Sequence, residues 1–451
     1  MKKLYKYLLY ILPLALIFSY FPVISLGSNE TMNFELSLPL LWLVVFDVVS
    51  LVMVCKKYRK ELFTKVFGSV LWWLFPLFAT LSVCWSLNVT RGILTVGVMW
   101  ALFFAVVFLW DLRKNLDDKF WKVFWRWFFG SALFACAWCV VQCILDVSGV
   151  SQEASLLCDG CVYQMFGFPH PNGFAIEPQF MGNLLLAPVL VAAWFSFKNK
   201  KYLWLFLVFM AALFLTFSRG AIYACVVGLV VMLIFARPKL KQIFITLGIF
   251  AAAFLFTLNL QGILTASSPT SDTYVDGVAK VLNHLSLGII DVRSGEKAPE
   301  GSGETTPVEP VENSEAPVKN SIYSGYVEES TDTRVRLVSA AIEIWHQDFK
   351  TALVGVGVGG AGQALYNSGF SPAPKEIVQN EYAEILLETG SIGISLFALI
   401  VILAIRVMLK NRKFTGLLIA LLVAYGVTLL FFSGLPNALN IVLIPALLVL
   451  L

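Results

Sequence analysis

Arg219 and Arg91 stand where apolar sequence begins or ends, an expensive place for a fixed charge, and Arg334 and Arg336 open an amphipathic stretch. Arg219 lies in LTFSRGAIYA, between two apolar runs that leave no room for a real loop; Arg91 lies in CWSLNVTRG; and Arg334 and Arg336 lie in TDTRVRLVS. A guanidinium stays protonated and offers a planar fork, which makes two parallel charge-assisted bonds to a phosphate or carboxylate. Such residues suit a diphosphate held at a membrane edge. The plainer reading is a snorkelling arginine marking a span end for Arg219 and Arg91, and an ordinary solvated arginine for Arg334 and Arg336.

Acidic and polar groups gather in the same stretches. Glu381, Glu384 and Glu388, in QNEYAEILLETGSIG, fall within about 60° of one another on a helix, a repulsive arrangement that calls for a cationic partner such as an arginine. Gln379 and Asn380 precede them. Glu177, in HPNGFAIEPQFMGN, opens an apolar run, and Asp47 sits inside another, where it either serves a function or bonds a neighbouring helix. His170 in the PHPNG segment is a candidate acid or base, and His346 a structural one. Cys158 and Cys161, in LCDGCVYQ, allow a short disulfide or half of a metal site. The other six cysteines lie in or beside apolar runs and read as small packing residues.

These groups need elements to carry them. If Asp332 or Thr333 caps a helix, Val335, Val338, Ala341, Ile342 and Trp345 share one side and Arg336, Ser339, Glu343 and Gln347 the other, with Arg334 projecting into the apolar stripe. A turn with Gly355, Gly357, Gly359 and Gly360 follows, then a short helix Val378 to Thr389 closed by Gly390 in a left-handed cap.

The support for all of this is lipid-soluble. The 451 residues are 58% hydrophobic and 14% charged, with mean hydropathy +0.79, which excludes an ordinary soluble domain. Twelve apolar runs come near the roughly 20 residues needed to cross hydrocarbon. They cover 7–26, 36–55, 66–85, 92–111, 123–146, 174–197, 202–217, 220–236, 243–261, 391–409, 414–432 and 436–451. With both termini inside, the short inner segments hold 23 of the 33 Lys and Arg, so the positive-inside rule is satisfied throughout. The expected organisation is all-α. Spans one to nine occupy 1–261, an outer loop 262–390, and spans ten to twelve 391–451. Within the loop, 291–331 has nine acidic residues against three basic ones and few large apolar residues, so it is expected to be disordered; 332–390 is expected to be ordered and helical.

In order along the chain, WSLNVTRG, FSRGA, the arginines before Trp345, GVGVGG and QNEYAEILLETGSIG resemble the O-antigen ligase and O-antigen polymerase superfamily of bacterial envelope enzymes, from about residue 75 to 410. The resemblance implies a GT-C-like membrane glycosyltransferase of the inner membrane. It would take a glycan from an undecaprenyl diphosphate carrier on the outer face, with no cofactor or metal, and pass it to a lipid, protein or glycan acceptor. Membrane lipids are implied as partners and nucleic acid is not. By position, Arg219 and Arg336 match the arginines that would hold the diphosphate, with Arg91, Arg334, Glu177, His170, Asn380 and Glu384 as substrate-binding candidates. Gln379 and Asn380 stand where the family usually has His-Asn. Glutamine takes no proton at neutral pH, so Gln379 is expected to act as a hydrogen-bond partner and Glu381 becomes a candidate base. A transporter or flippase would instead show an internal repeat and broken helices at the midplane, and a non-catalytic envelope scaffold would tolerate loss of Arg219.

Overall fold

The computed structural model describes residues 1–29, 32–57, 69–148, 169–267, 273–286, 326–410, 414–431 and 438–450. Cys158, Cys161 and most of the acidic stretch 291–331 lie outside these residues. In chain order the first half comprises α1 (Lys2–Ile17), β1 (Val23–Asn29), β2 (Met32–Ser37), α2 (Leu38–Lys57), α3 (Leu74–Ser82), α4 (Val89–Leu112), α5 (Asp118–Val147), α6 (Pro178–Ser196) and α7 (Leu203–Leu215). The second half comprises α8 (Arg219–Ala236), α9 (Leu240–Ala266), α10 (Tyr274–Leu285), α11 (Tyr326–Trp345), α12 (Phe349–Val354), α13 (Ala361–Asn367), α14 (Glu381–Lys410), α15 (Thr415–Thr428) and α16 (Ala438–Val449).

Helix dominates because a backbone in hydrocarbon must satisfy its own N–H and C=O groups. Among the described residues, α2, α4, α5, α6, α8, α9 and α14 are long and apolar enough to cross a membrane; α15, α16 and the segment Val70–Trp85 are shorter apolar helical pieces. The molecule is an all-α polytopic membrane protein with one small addition. The first apolar run does not continue as helix to residue 26. Helix α1 ends at Ile17, and β1 then pairs antiparallel with β2, Val23 opposite Ser37. Pro22 offers no N–H to prolong a helix, and the Gly, Ser and Asn residues after it favour a turn. The N–H groups of Tyr20 and Phe21 instead donate to the Phe174 carbonyl at 3.1 and 2.9 Å.

Helix α6 is the axis of the bundle, with every residue from Phe180 to Ala193 buried. Neighbouring helices approach it and one another through small residues, as expected where lipid supplies no hydrophobic drive and close packing must do the holding. A Cβ on Gly182 of α6 would stand 2.7 Å from the Ala221 Cβ of α8, and one on Gly228 of α8 would stand 3.0 Å from the Ala424 Cβ of α15. These contacts fix the starts of α6 and α8 side by side.

The segment after α10 is anchored by backbone rather than by side-chain bulk. The glycine turn before α13 sits on the corner between α3 and α4. Ser86 Oγ donates to the Val358 carbonyl at 2.8 Å, the Val358 N–H donates to Ser82 Oγ at 3.1 Å, and the Leu87 N–H donates to the Val356 carbonyl at 3.2 Å. Gly359, at φ +81°, leaves no room for a side chain, since its Cβ would lie 2.4 Å from the Gly92 nitrogen. Two of the motifs singled out in the sequence, WSLNVTRG and GVGVGG, are therefore the two halves of one contact. Helix α14 breaks at Gly390, whose φ of 64° and ψ of −169° only glycine holds readily, and then continues as the membrane span. The short helix foreseen over 378–389 begins at Glu381, and Gly390 at positive φ ends it as expected, with the span following directly across the kink.

Replacing Gly359 by alanine should undock this turn. The expected result is faster amide hydrogen exchange over 355–367, with a local loss of about 1–3 kcal/mol from the strained φ alone and no change in the exchange of α6.

Candidate functional site

Helix α11 shows where the loop meets the bundle. It starts at Tyr326, so Asp332 and Thr333 lie inside it and neither caps it. Its buried residues are Leu337, Ala340, Ala341 and Ile344, while Val335 is 59% and Ile342 44% exposed. The buried face is thus rotated from the stripe expected around Val335 and Ile342. Counting back one turn from Leu337 brings Arg334, not Arg336, onto the inward face. Arg336 is exposed and makes no hydrogen bond or ion pair with a described residue.

Arg334 reaches two helix beginnings at once. Its Nε donates to Gln379 Oε1 at 3.1 Å, and its Nη2 donates to Gln179 Oε1 at 3.2 Å. Gln179 is in the first turn of α6, and Gln379 immediately precedes Asn380, whose Oδ1 accepts the Ala383 N–H at 3.0 Å at the start of α14. Gln379 occupies the left-handed region at φ 59°, a costly backbone for a residue with a Cβ. The end of α15 fastens both starts. The Gln179 Nε2 donates to the Phe431 carbonyl at 2.8 Å, the Asn380 Nδ2 to the Leu430 carbonyl at 2.9 Å, and the Glu381 N–H to the Leu429 carbonyl at 2.9 Å.

A third helix start completes the arrangement. Thr216, Phe217 and Ser218 form the turn between α7 and α8, with Phe217 at φ 48° and the Ser218 hydroxyl accepting the Ala221 N–H as the cap of α8. Arg219 is the first residue of α8 and lies within electrostatic reach of Arg334; its Nη1 is buried and has no hydrogen-bond partner among the described residues. The N-terminal end of a helix carries a partial positive charge and unsatisfied N–H groups. Three such ends and two guanidinium groups thus accumulate around one point, and the physical demand there is for an anion.

Glu177 supplies a carboxylate to this cluster from the cap of α6. It keeps solvent exposure. Desolvation by surrounding protein still raises its carboxyl above the usual range, and the Arg334 guanidinium works in the opposite direction. Behind Arg219, the His170 ring lies 5.9 Å from those of Phe217 and His284, and His284 Nε2 is 3.3 Å from the Phe217 carbonyl. Burial, then His284, push His170 down to about 3; burial, then the Arg219 charge, push His284 down to about 4. Both rings are neutral at pH 7. A group with so low a pKa is a weak base, so His170 serves better as a wall behind Arg219 than as a proton acceptor.

The remaining candidates are engaged elsewhere. Arg91 donates to the carbonyls of Lys375 and Glu376 at 3.4 and 3.5 Å and stands 4.0 Å from the Glu384 carboxylate. Glu384 also accepts the Val378 N–H at 3.2 Å, and Glu388 accepts the Ala361 N–H at 3.3 Å. Two members of the glutamate stripe, Glu384 and Glu388, thus have Arg91 as their cationic neighbour, and together they hold the loop. His346 is exposed at the end of α11, with Nδ1 2.8 Å from the Glu343 carbonyl. Sequence reasoning passed over Gln179 and His284. The pattern Thr273-x-x-Asp276, a capping box, announces the helix that carries His284 and would have been the signal for it.

Residues 203–398 match the family model described as O-antigen ligase. The matched segment includes Arg219, Arg334 and Gln379, and the superfamily is the one its motifs resemble. No curated protein matches the chain.

The two histidines make an acid-sensitivity test. Their folded pKa values lie below the ordinary histidine value, so the unfolded chain binds more protons as pH falls through about 6.5. Stability contributed by the neutral rings is present above that pH and is lost progressively down to about 4 for His284. In thermal melts between pH 7.5 and 5, the protein should lose stability on acidification, and His284→Gln should lessen the loss.

Proposed function

Starting from the O-antigen ligase match over residues 203–398, we propose that the chain transfers a glycan from a polyprenyl diphosphate carrier to an acceptor hydroxyl on the outer face of the bacterial inner membrane. The supporting observation is the pair Arg219 and Arg334 at three converging helix starts, one guanidinium nitrogen being buried without a protein acceptor among the described residues. Arg334 takes the place that sequence position had given to Arg336. The orientation follows from the concentration of Lys and Arg at the other ends of the spans. Twelve spans remain the topology that best accommodates this bias.

In this reading the acceptor oxygen attacks the anomeric carbon while the bond from that carbon to the diphosphate oxygen breaks, inverting the configuration. Arg219, Arg334 and the helix ends neutralise the charge growing on the leaving diphosphate, an interaction stronger in the transition state than in the ground state. Gln379 holds Arg334 in place by accepting its Nε–H. Glu177 is the carboxylate positioned to orient the acceptor hydroxyl and take its proton, its raised pKa favouring that role. Glu381 meets its neighbours through its N–H and is the second candidate. No step calls for a metal. A flippase reading fits less well, because the charged groups sit at helix ends rather than at broken helices near a midplane. The same chemistry serves a ligase or a polysaccharide polymerase. A deletion strain separates them: loss of the glycan length distribution indicates a polymerase, and full-length glycan left on its carrier indicates a ligase.

With purified protein and carrier-linked glycan, Arg219→Ala and Arg334→Ala should each reduce transfer by about 10²- to 10³-fold. Arg336→Ala should stay within about threefold, and Gln379→His should remain active because the Arg334 partner is kept. Full activity in Arg219→Ala, or a greater loss in Arg336→Ala than in Arg334→Ala, would overturn the assignment.

A further inference from the structure

Helix α5 carries a second cationic feature, far from the arginine cluster. Lys6 of α1 pairs with Asp117 at 3.0 Å at the beginning of α5, whereas the opposite end of α1 leads to Tyr20 and Phe21, bonded to Phe174 just before Glu177. Residues early in α5 therefore lie at the end of the bundle away from Arg219. Lys119, Lys122 and Arg126 are exposed there at steps of three and four, and Trp127, Gly130 and Phe134 continue the same exposed face. Leu14, Arg126, Trp127, Gly130, Ser131 and Phe134 line a groove between α1 and α5.

Arg126 is the unusual member. It is eight residues into α5 and three past the start of the apolar run at 123, about 5 Å along the axis from there, and forms no hydrogen bond or ion pair with a described residue. A guanidinium at that depth is costly unless it snorkels to a phosphate. Beyond it the groove is apolar, walled by Trp127 and Phe134, and at Gly130 an added Cβ would meet nothing within 4 Å. One cationic end and one open apolar channel match an amphiphile with an anionic head and an aliphatic tail.

We propose that this groove binds one anionic phospholipid, its phosphate on Arg126 with Lys122 and Lys119 alongside, and an acyl chain lying over Gly130 between Trp127 and Phe134. Basic pockets between spans attract anionic head groups, and the aromatic walls supply apolar contact area for the chain. That the leaflet is the cytoplasmic one rests on the orientation proposed above; the groove and its ligand chemistry do not.

The test uses the full chain purified in mild detergent, with retained lipid counted by native mass spectrometry after addition of phosphatidylglycerol or phosphatidylcholine of the same chain length. Phosphatidylglycerol should be retained about tenfold better, and Arg126→Gln should reduce its retention by about that factor, the loss of a charge-assisted phosphate contact. Gly130→Leu fills the channel without meeting a neighbour and should reduce retention similarly, while Arg126→Lys should keep most of it. Both variants are checked for an unchanged elution profile, and their glycan transfer should be unaltered, so a failure here is distinct from a failure of the arginine cluster. Equal retention of the two lipids, or phosphatidylglycerol retention unchanged in both Arg126→Gln and Gly130→Leu, overturns the proposal. So does displacement of phosphatidylglycerol by an equal concentration of polyprenyl phosphate, which would make the groove a carrier site.

Discussion

Like charges held together at the edge of a low-dielectric slab repel one another, and the structure around Arg219 and Arg334 is arranged to hold them against that repulsion. At an effective dielectric constant of about 20, two unit charges several ångströms apart cost a few kcal/mol. The cost is borne by bonds made to one arginine rather than between the two. Arg334 is held by two uncharged glutamine carbonyls, which fix its position without cancelling its charge. A carboxylate in either place would have neutralised the site for any incoming anion. Glutamine at 379, which cannot ionise at neutral pH, holds the guanidinium without adding a charge of its own.

Arg334 is brought to its partners because α11 packs on α13 and the start of α14, and α13 in turn follows the glycine turn seated on the corner of α3 and α4. Backbone contact there leaves little freedom. The Val358 N–H and C=O are both taken by serine hydroxyls, Ser82 and Ser86. Arg91 then ties Lys375, Glu376 and Glu384 together on the same side. Thus Arg91 ties together the segment that leads into Gln379, the partner of Arg334.

Much of this was legible in the residues, for physical reasons that also explain what was not. Apolar runs of about 20 residues identify spans because desolvation of a peptide chain leaves few alternatives. The FSRGA turn could be found because a charged residue between two apolar runs has nowhere else to be. The register of the helix that carries Arg334 and Arg336 was harder to read. Of the apolar stripe read from the sequence, Ala341 is buried and Val338 and Trp345 pack beside it, but Val335 and Ile342 are exposed and the buried face is completed by Leu337, Ala340 and Ile344. Beside a membrane, an exposed apolar side chain is no longer penalised as it is in water, so the usual hydrophobic signal loses its direction. The β1–β2 hairpin was missed for a related reason, since its Val23 and Ile24 extend an apolar run that composition alone assigns to helix. Gln179 was passed over because its importance lies in a partner 155 positions away.

The end of α15 bears on how such a site can vary between chains. Leu429, Leu430 and Phe431 hold the starts of α6 and α14 entirely through their carbonyl oxygens. Any amino acid presents the same oxygen, so these bonds survive a change of side chain, even though the Phe431 side chain also packs against Gly220 and Leu429 lies against the core. That part of its contribution is therefore written in backbone position and not in residue identity, and a comparison of side chains would not register it. The parts of this protein that a motif can register are the ones being held, and some of those doing the holding leave no mark in the alphabet at all.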